Sequence, residues 1–234
     1  MRSVPHPVAI ITSTSTYTTP TTSSNSTSSN NASLDLFRGA TVSSFNTVTL
    51  TPTPIVSFNI TRHSSTFHAI QLSGMFNVHL LTSDVQMQPE PQQQHDGSDA
   101  SVRNRDRDRD HPELIATKFS KGNKGRPFHQ DTGELEPWID LSSASTGRAS
   151  RESARLPPVI RGQTDEGIAL VPFHLLCEHM TEKTVWIGDH VVVFGQVVNV
   201  VDNLRKKKSN GSGLEYQNPK PTLAYVHGKY ARVV

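Results

Sequence analysis

The chain has 234 residues, enough for one large domain or two small ones. Its formal net charge of +2 creates no strong field toward nucleic acid or an anionic membrane surface, so neither partner is expected. The single cysteine, Cys177, excludes an internal disulfide and fits a reducing compartment.

Membrane insertion and export are not expected from the sequence. No apolar run approaches the roughly 20 residues that a membrane helix needs. The N-terminus enters the apolar run "PVAII" after six residues, which leaves no room for a signal or transit peptide. We therefore expect a cytoplasmic protein; a mitochondrial location stays open if the chain is truncated at its start.

Four polar tracts interrupt the apolar segments, at residues 14–33, 88–111, 142–156 and 203–220. The first is rich in Ser, Thr and Asn, and the second contains the alternating run "RDRDRD", whose charges cancel. Such tracts bury too little apolar surface to offset the entropy of ordering them. We predict one domain spanning residues 1–234, with the tracts as disordered loop insertions.

Strand patterns dominate the segments between the tracts. Apolar residues alternate along Val8–Thr12, Val56–Ile60 and Phe76–Leu80. His190–Val201 is a long run rich in valine, and Thr222–Tyr230, "TLAYVHGKY", ends the pattern with one more predicted strand. The number of such strands predicts a mainly β protein with a closed or nearly closed antiparallel barrel.

Two helices are predicted between the strands. The stretch "SSTFHAIQLSG" begins with Ser64 or Ser65 as N-cap and ends at Gly74 as C-cap. The stretch "HPELIATKFSKG" has Pro112 in its first turn and Gly122 beyond its end.

The segment Arg38–Pro54, "RGATVSSFNTVTLTPTP", breaks the strand pattern. Ser44 and Asn46 occupy the face on which an apolar residue is expected. Either a β-bulge or a backbone turned toward a ligand would explain the break.

The stretch Arg62–Thr66, "RHSST", brings an arginine, hydroxyls and free amides together at a helix start. This combination suits a phosphate, although an ordinary helix N-cap with a surface charge would have the same sequence pattern.

At this point the chain resembles the flavin reductase-like family, whose members bind FMN, or in some cases FAD, in a split β-barrel. The resemblance rests on an ordered set of segments covering about two-thirds of the chain: "SVPHPVAIITS", "RGATVSSFNTVTLTPTPIVSFNI", "SSTFHAIQLSGMFNVHLLTSD", "IATKFSKG", "LLCEHMTEKTVWIGDHVVVFGQVVNV" and "LAYVHGKY". It implies an FMN-binding split β-barrel, a Greek-key antiparallel barrel with a few short helices.

The resemblance also implies a set of site residues. Backbone amides and hydroxyls around the isoalloxazine would come from Thr41, Val42, Ser43 and Ser44. Asn59 would lie near the ribityl chain, and the phosphate would be held by Arg62, Ser64, Ser65 and Thr66. His190 is the candidate catalytic residue beside the nicotinamide or the flavin edge; the alternative is a histidine hydrogen-bonded at a strand end.

Other residues attract simpler interpretations. We expect Phe119 and Cys177 to be packing residues, and Tyr230 to pack or to close the pocket. No metal site is expected, because the paired histidines are five residues apart instead of the four that align ligands on a helix.

The expected reaction is hydride transfer from NAD(P)H to flavin, in which the cofactor carries the chemistry. A non-enzymatic flavin-binding or electron-relay protein is the alternative, and a degenerate barrel whose tracts recruit partners is a third hypothesis. The resemblance further implies a homodimer and an oxygenase partner that receives the reduced flavin.

Overall fold

The computed structural model describes residues 4–15, 36–83, 112–141, 156–162, 169–207, 214–216 and 221–232. The helices are α1 (Ser65–Ser73) and α2 (Pro112–Ser120), with 3-10 turns at Gly122–Gly125 and Thr181–Lys183. The strands are β1 (His6–Pro7), β2 (Ala9–Thr14), β3 (Phe37–Val42), β4 (Asn46–Thr49), β5 (Ile55–Thr61), β6 (Met75–Leu80), β7 (Ile139–Asp140), β8 (Val159–Ile160), β9 (Phe173–His179), β10 (Val185–Ile187), β11 (His190–Asp202), β12 (Arg205–Lys207), β13 (Leu214–Tyr216), β14 (Leu223–Val226) and β15 (Lys229–Arg232).

The main sheet has eight antiparallel strands in the order β3-β2-β6-β9-β11-β5-β4, with β10 paired to β11. Strands β3 and β4 lie at opposite ends of this order, yet only residues 43–45 separate them in the chain. Because so short a link cannot cross a flat sheet of this width, the sheet must curl until its two ends approach each other. This curled antiparallel half-barrel confirms the predicted fold class.

Strand β2 is buried on both faces because the protein has two hydrophobic cores. Ile11 points into the barrel, where it joins Phe58 and Phe76. Ile10 points outward into a second core built around Phe119 of α2. The second core packs α2, the segment that follows it and the C-terminal hairpin onto the outside of the barrel.

Both predicted helices are confirmed. Ser64 is the N-cap of α1, and its Oγ accepts a hydrogen bond from the backbone N–H of Thr66. Gly74 ends α1 with φ 70°, a left-handed conformation that glycine adopts without steric cost. Within the described part of the chain, no helix is long and apolar enough to cross a bilayer.

The prediction of a single strand over Thr222–Tyr230 is wrong. The segment forms a hairpin, in which β14 pairs with β15 and joins β1 in a separate three-stranded sheet. His227 and Gly228, between the two strands, have φ angles of 53° and 82°. Two consecutive residues with positive φ are typical of the tight turn that joins two hairpin strands, and the alternating side chains around them hid it.

The structure describes parts of the predicted polar tracts. Thr14 belongs to β2, and residues 205–207 pair with residues 214–216 as β12 and β13, so the fourth tract contains a short ladder where disorder is predicted. The ladder is held by backbone hydrogen bonds, which residues of any composition can form, so the polar sequence gave no indication of it. Apart from residues 14–15, Leu156, 203–207 and 214–216, the four tracts lie outside the described residues.

Candidate functional site

The link between β3 and β4, residues 43–45, marks the seam where the two ends of the curled sheet meet. Ser44 Oγ accepts a hydrogen bond from the Asn59 backbone N–H at 2.8 Å and lies 3.3 Å from the Asn59 carbonyl oxygen, to which it donates. These two bonds attach the seam to β5. Ser43 and the Asn59 side chain are exposed, so both can contact a ligand.

The start of α1 follows β5 directly. The chain reaches the N-cap Ser64 five residues after Asn59, a span of at most about 17 Å even when fully extended. The two regions that the sequence analysis assigned to the ends of one ligand are therefore neighbours.

The helix start offers donors for an anion. The first amides of a helix have no intrahelical partner, and Ser64 Oγ satisfies only that of Thr66. Ser65 is exposed. Thr66 is 1% exposed, and its Oγ1 has no hydrogen-bond partner among the described residues. A buried hydroxyl without an acceptor costs stability, which an anion bound at this helix end would recover.

The other residues predicted to line the flavin ring lie differently. Thr41 Oγ1 donates to the carbonyl oxygen of Ala116 in α2 at 2.6 Å, so its proton is already used. Val42 points into the barrel core. Of Val42, only those backbone groups that β2 does not already pair could therefore contact a ligand at the seam.

His190 lies beside the helix start. It pairs with Thr61 across β5 and β11, and its Nδ1 is 2.7 Å from Asp189 Oδ1. The Arg62 backbone N–H donates to the Asp189 carbonyl oxygen at 2.9 Å, which ties the two loops together. The hydrogen bond from His190 is the main cause that lowers the pKa of Asp189, so its carboxylate stays ionised and orients the imidazole.

A cleft of about 340 Å³ opens on the other side of the seam. Its walls are the end of β3, the last turns of α2 and the C-terminal hairpin. The lining residues are Val8, Thr41, Ser43, Thr117, Ser120, Tyr225, Gly228, Lys229 and Tyr230. Thr41 and Ser43 are thus the two predicted site residues that reach the cleft, while the predicted phosphate residues and His190 are not among its lining.

The C-terminal hairpin contributes Tyr230, which was expected to pack or to close the pocket, and also Tyr225 and Lys229, for which the sequence predicted no role. The local signal for this hairpin in the sequence is the His227-Gly228 pair at its turn. Tyr230 is half-buried and forms an edge-to-face contact with Tyr225, with ring centroids 5.5 Å apart. Burial raises the pKa of Tyr230, which therefore stays neutral near pH 7.

Two packing assignments agree with the structure. Phe119 is fully buried and contacts the rings of Phe128 and Trp138. Cys177 lies in the barrel core, and burial raises the pKa of its thiol to about 12, which leaves it unreactive. Among the described residues, no cluster of His, Cys, Asp or Glu could hold a metal ion.

Comparison with known proteins connects this geometry to a family. A family model described as "Flavin reductase like domain" matches residues 1–119, slightly more than half of the chain. The chain belongs to the flavin reductase-like domain family. The match covers β1 to α2, and so includes the seam, the helix start and one wall of the cleft.

Solved structures share the fold of this flavin reductase-like chain at low sequence identity. A flavin reductase domain protein from Arthrobacter sp. FB24 is 16% identical with a TM-score of 0.53, covering 100% of this chain and 91% of that one. The NADH:FAD oxidoreductase SgcE6 of Streptomyces globisporus C-1027 is 17% identical with a TM-score of 0.52, covering 99% and 82%. The styrene monooxygenase flavin reductase of Pseudomonas putida S12 is 15% identical with a TM-score of 0.50, covering 97% and 90%.

Proposed function

We propose that this flavin reductase-like protein binds FMN and transfers a hydride to it from NAD(P)H. The observation that carries the proposal is the pair of hydrogen bonds between Ser44 and Asn59, which joins the seam to the strand that leads into α1. Ser43 and Asn59 are exposed at this junction and the free amides of α1 follow at the end of β5, so polar groups for a planar ring and donors for an anion lie a few residues apart in the chain. FAD, which shares the ring and the first phosphate, is the other flavin that this surface would accept.

Each group of residues would contact a different part of the flavin. Ser65, Thr66 and the first free amides of α1 hold the phosphate, and Arg62 adds positive charge beside them. Asn59 presents its exposed amide to the ribityl hydroxyls. The backbone of residues 41–44, with the hydroxyls of Ser43 and Ser44, orients the ring at the seam. A bound flavin would supply a ring able to take up a hydride, and with it two electrons, from the nicotinamide.

His190 is proposed to contact the nicotinamide or the exposed edge of the flavin. Its imidazole is half-exposed and held by Asp189, so it can donate a hydrogen bond without moving the backbone. A hydride step needs orientation of two rings more than a protein acid or base. The role assigned to His190 is therefore one of orientation.

We also propose a homodimer, supported by exposed apolar side chains on an edge strand. Strand β10 pairs only with β11 within the described sheet, and its residues Val185, Trp186 and Ile187 are 46%, 57% and 60% exposed. An exposed apolar edge strand favours association with another chain.

The Pseudomonas relative, by its name the reductase of a monooxygenase, supports an oxygenase as the consumer of reduced flavin. A cytoplasmic location completes the proposal, in keeping with one buried, unpaired cysteine.

The function is tested by an absorption spectrum with FMN, followed by anaerobic addition of NADH or NADPH. Binding of flavin and bleaching of its visible band by either nucleotide are expected. Protein that binds FMN but never bleaches would refute the enzyme and leave the electron-relay alternative. Protein that binds no flavin would refute both.

The phosphate assignment has a sharper test in the variant Ser65→Ala/Thr66→Val, which keeps the N-cap Ser64 and the volume of residue 66. It removes two hydroxyl donors from the anion, and charge-assisted hydrogen bonds contribute about 1.5–3 kcal/mol each. FMN affinity should fall at least tenfold while riboflavin affinity stays unchanged. The exposed hydroxyl of Thr222 lies outside this site, so Thr222→Ala is the control. Equal losses for FMN and riboflavin would contradict the assignment.

A further inference from the structure

The cleft beside the seam carries an uneven distribution of charge. Lys229 is the one charged side chain among the nine residues that line it, and no carboxylate lines the cleft within the described part of the chain. Lys229 follows the tight turn at His227 and Gly228 and pairs with Val226 in the hairpin. The short ladder fixes its backbone at the rim of the cleft, and its exposed side chain is long enough to extend the ammonium toward the cleft.

The opposite wall, formed by α2 and the end of β3, offers mainly acceptors. The hydroxyl of Thr117 donates to the Glu113 carbonyl oxygen at 2.7 Å, and that of Ser120 donates to the Thr117 carbonyl oxygen at 2.7 Å. The Thr41 hydroxyl likewise donates its hydrogen bond to the Ala116 carbonyl oxygen. Thr117 is also hydrogen-bonded to Tyr230 across the cleft, so the oxygens of Thr41 and Ser120 are the ones on this wall that keep lone pairs for a ligand. The cleft therefore suits a ring edge that has an N–H donor and also carries, or can acquire, negative charge.

The flavin ring has such an edge, since its pyrimidine part combines an N–H with two carbonyl oxygens and gains negative charge when the ring is reduced. Ser43 links this cleft to the seam where the proposed function places the ring. We propose that Lys229 presents its ammonium to that edge and stabilises the reduced ring more than the oxidised one. This inference rests on the proposed function, and it concerns a residue outside the segment that the family model matches.

The distinguishing probe is riboflavin, because it has the ring but no phosphate. Dissociation constants of oxidised and chemically reduced riboflavin are measured for the wild type, Lys229→Met and Lys229→Arg under anaerobic conditions. For Lys229→Met, oxidised riboflavin should bind within twofold of the wild type and reduced riboflavin at least tenfold more weakly. A tenfold change in that ratio lowers the two-electron potential of the bound flavin by about 30 mV. Lys229→Arg should keep most of the wild-type ratio.

The control is Lys183→Met, which removes an exposed lysine in the 3-10 turn at Thr181–Lys183, outside the cleft lining. It should leave both constants unchanged. Equal weakening of oxidised and reduced riboflavin by Lys229→Met, or no change in either, would overturn the inference. Loss confined to FMN would overturn it too, because Lys229 would then act on the phosphate. Wild-type protein that binds neither FMN nor riboflavin would instead refute the proposed function itself, and this inference with it.

Discussion

Acidification should destabilise this protein through a histidine that the fold keeps neutral. His79 of β6 is completely buried. Its Nδ1 lies 3.1 Å from the Ile10 carbonyl oxygen, and its Nε2 accepts a hydrogen bond from the Ile160 backbone N–H at 3.0 Å. One nitrogen must donate and the other must accept, which is the neutral form. A second proton would remove the acceptor that holds β8.

The magnitude follows from the displaced pKa. Burial is the largest cause that lowers the pKa of His79 from 6.5 to about 3; the charge of His174 lowers it further, and the hydrogen bond to Ile10 opposes the shift. Between these two pKa values His79 is protonated in the unfolded chain but stays neutral in the folded protein. The free energy of unfolding is therefore highest above pH 6.5 and falls as the pH drops. Between pH 7 and pH 5 the loss is about 2 kcal/mol, at about 1.4 kcal/mol per pKa unit.

His174 should act in the same direction. Its ring stacks on that of His79 with centroids 5.8 Å apart, and burial, followed by the charge of Arg161, lowers its pKa while Asp140 opposes the shift. Arg161 and Asp140 form an ion pair with a 2.9 Å contact, so their charges largely cancel near this pair of histidines. Burial also lowers the pKa of His179, so that imidazole should add to the same loss of stability on acidification.

The assay is urea unfolding at pH 5, 6 and 7, where carboxylates contribute least. His79→Gln keeps a donor and an acceptor but cannot titrate, so its loss of stability between pH 7 and pH 5 should be about 2 kcal/mol smaller than that of the wild type. His68→Gln, which replaces an exposed imidazole of α1, is the control and should keep the wild-type loss. A His79→Gln protein with the full wild-type pH dependence would refute the reasoning.

Two further predictions concern packing and assembly. Gly39→Ala should lower the free energy of unfolding by about 1–3 kcal/mol, since a Cβ there would lie within 2.6 Å of Phe119 Cδ1 and closer still to its Cε1. Adding Phe119→Leu to this variant should recover part of the lost stability. A Gly39→Ala protein as stable as the wild type would contradict the contact. Ile187→Glu should convert the dimer to monomer in light scattering, and a wild type that is monomeric at micromolar concentration would rule out the proposed dimer.

Local signals explain what the sequence could predict. The caps Ser64 and Gly74 set the ends of α1 through their own side chain and backbone, so no distant contact was needed to recognise them. The alternation along β5 and β6 reports a buried face directly, as Phe58 and Phe76 show. The hairpin at His227 was not predicted because its two strands continue one alternating pattern, and the turn is evident only from the backbone angles.

Pairing between distant segments explains what stayed hidden. Nothing in the local pattern says that β3 and β4, neighbours in the chain, end at opposite edges of one sheet. The same holds for the second core, which brings Phe119 and Leu223 onto the outer face of β2. Contacts between segments so far apart in the chain depend on the whole topology, which a window of residues does not contain.

The seam explains why the alternation fails at Ser44. A strand shows period two only while it pairs on a sheet, and here the backbone leaves one edge to join the other. At this crossing Phe45 packs against the barrel core, whereas Ser43 and Ser44 do not enter it and can be polar without loss of buried apolar contact. Ser44 then satisfies the Asn59 backbone, whereas Ser43 stays exposed at the cleft. The break that makes the segment a poor strand thus also leaves its polar groups available to a ligand.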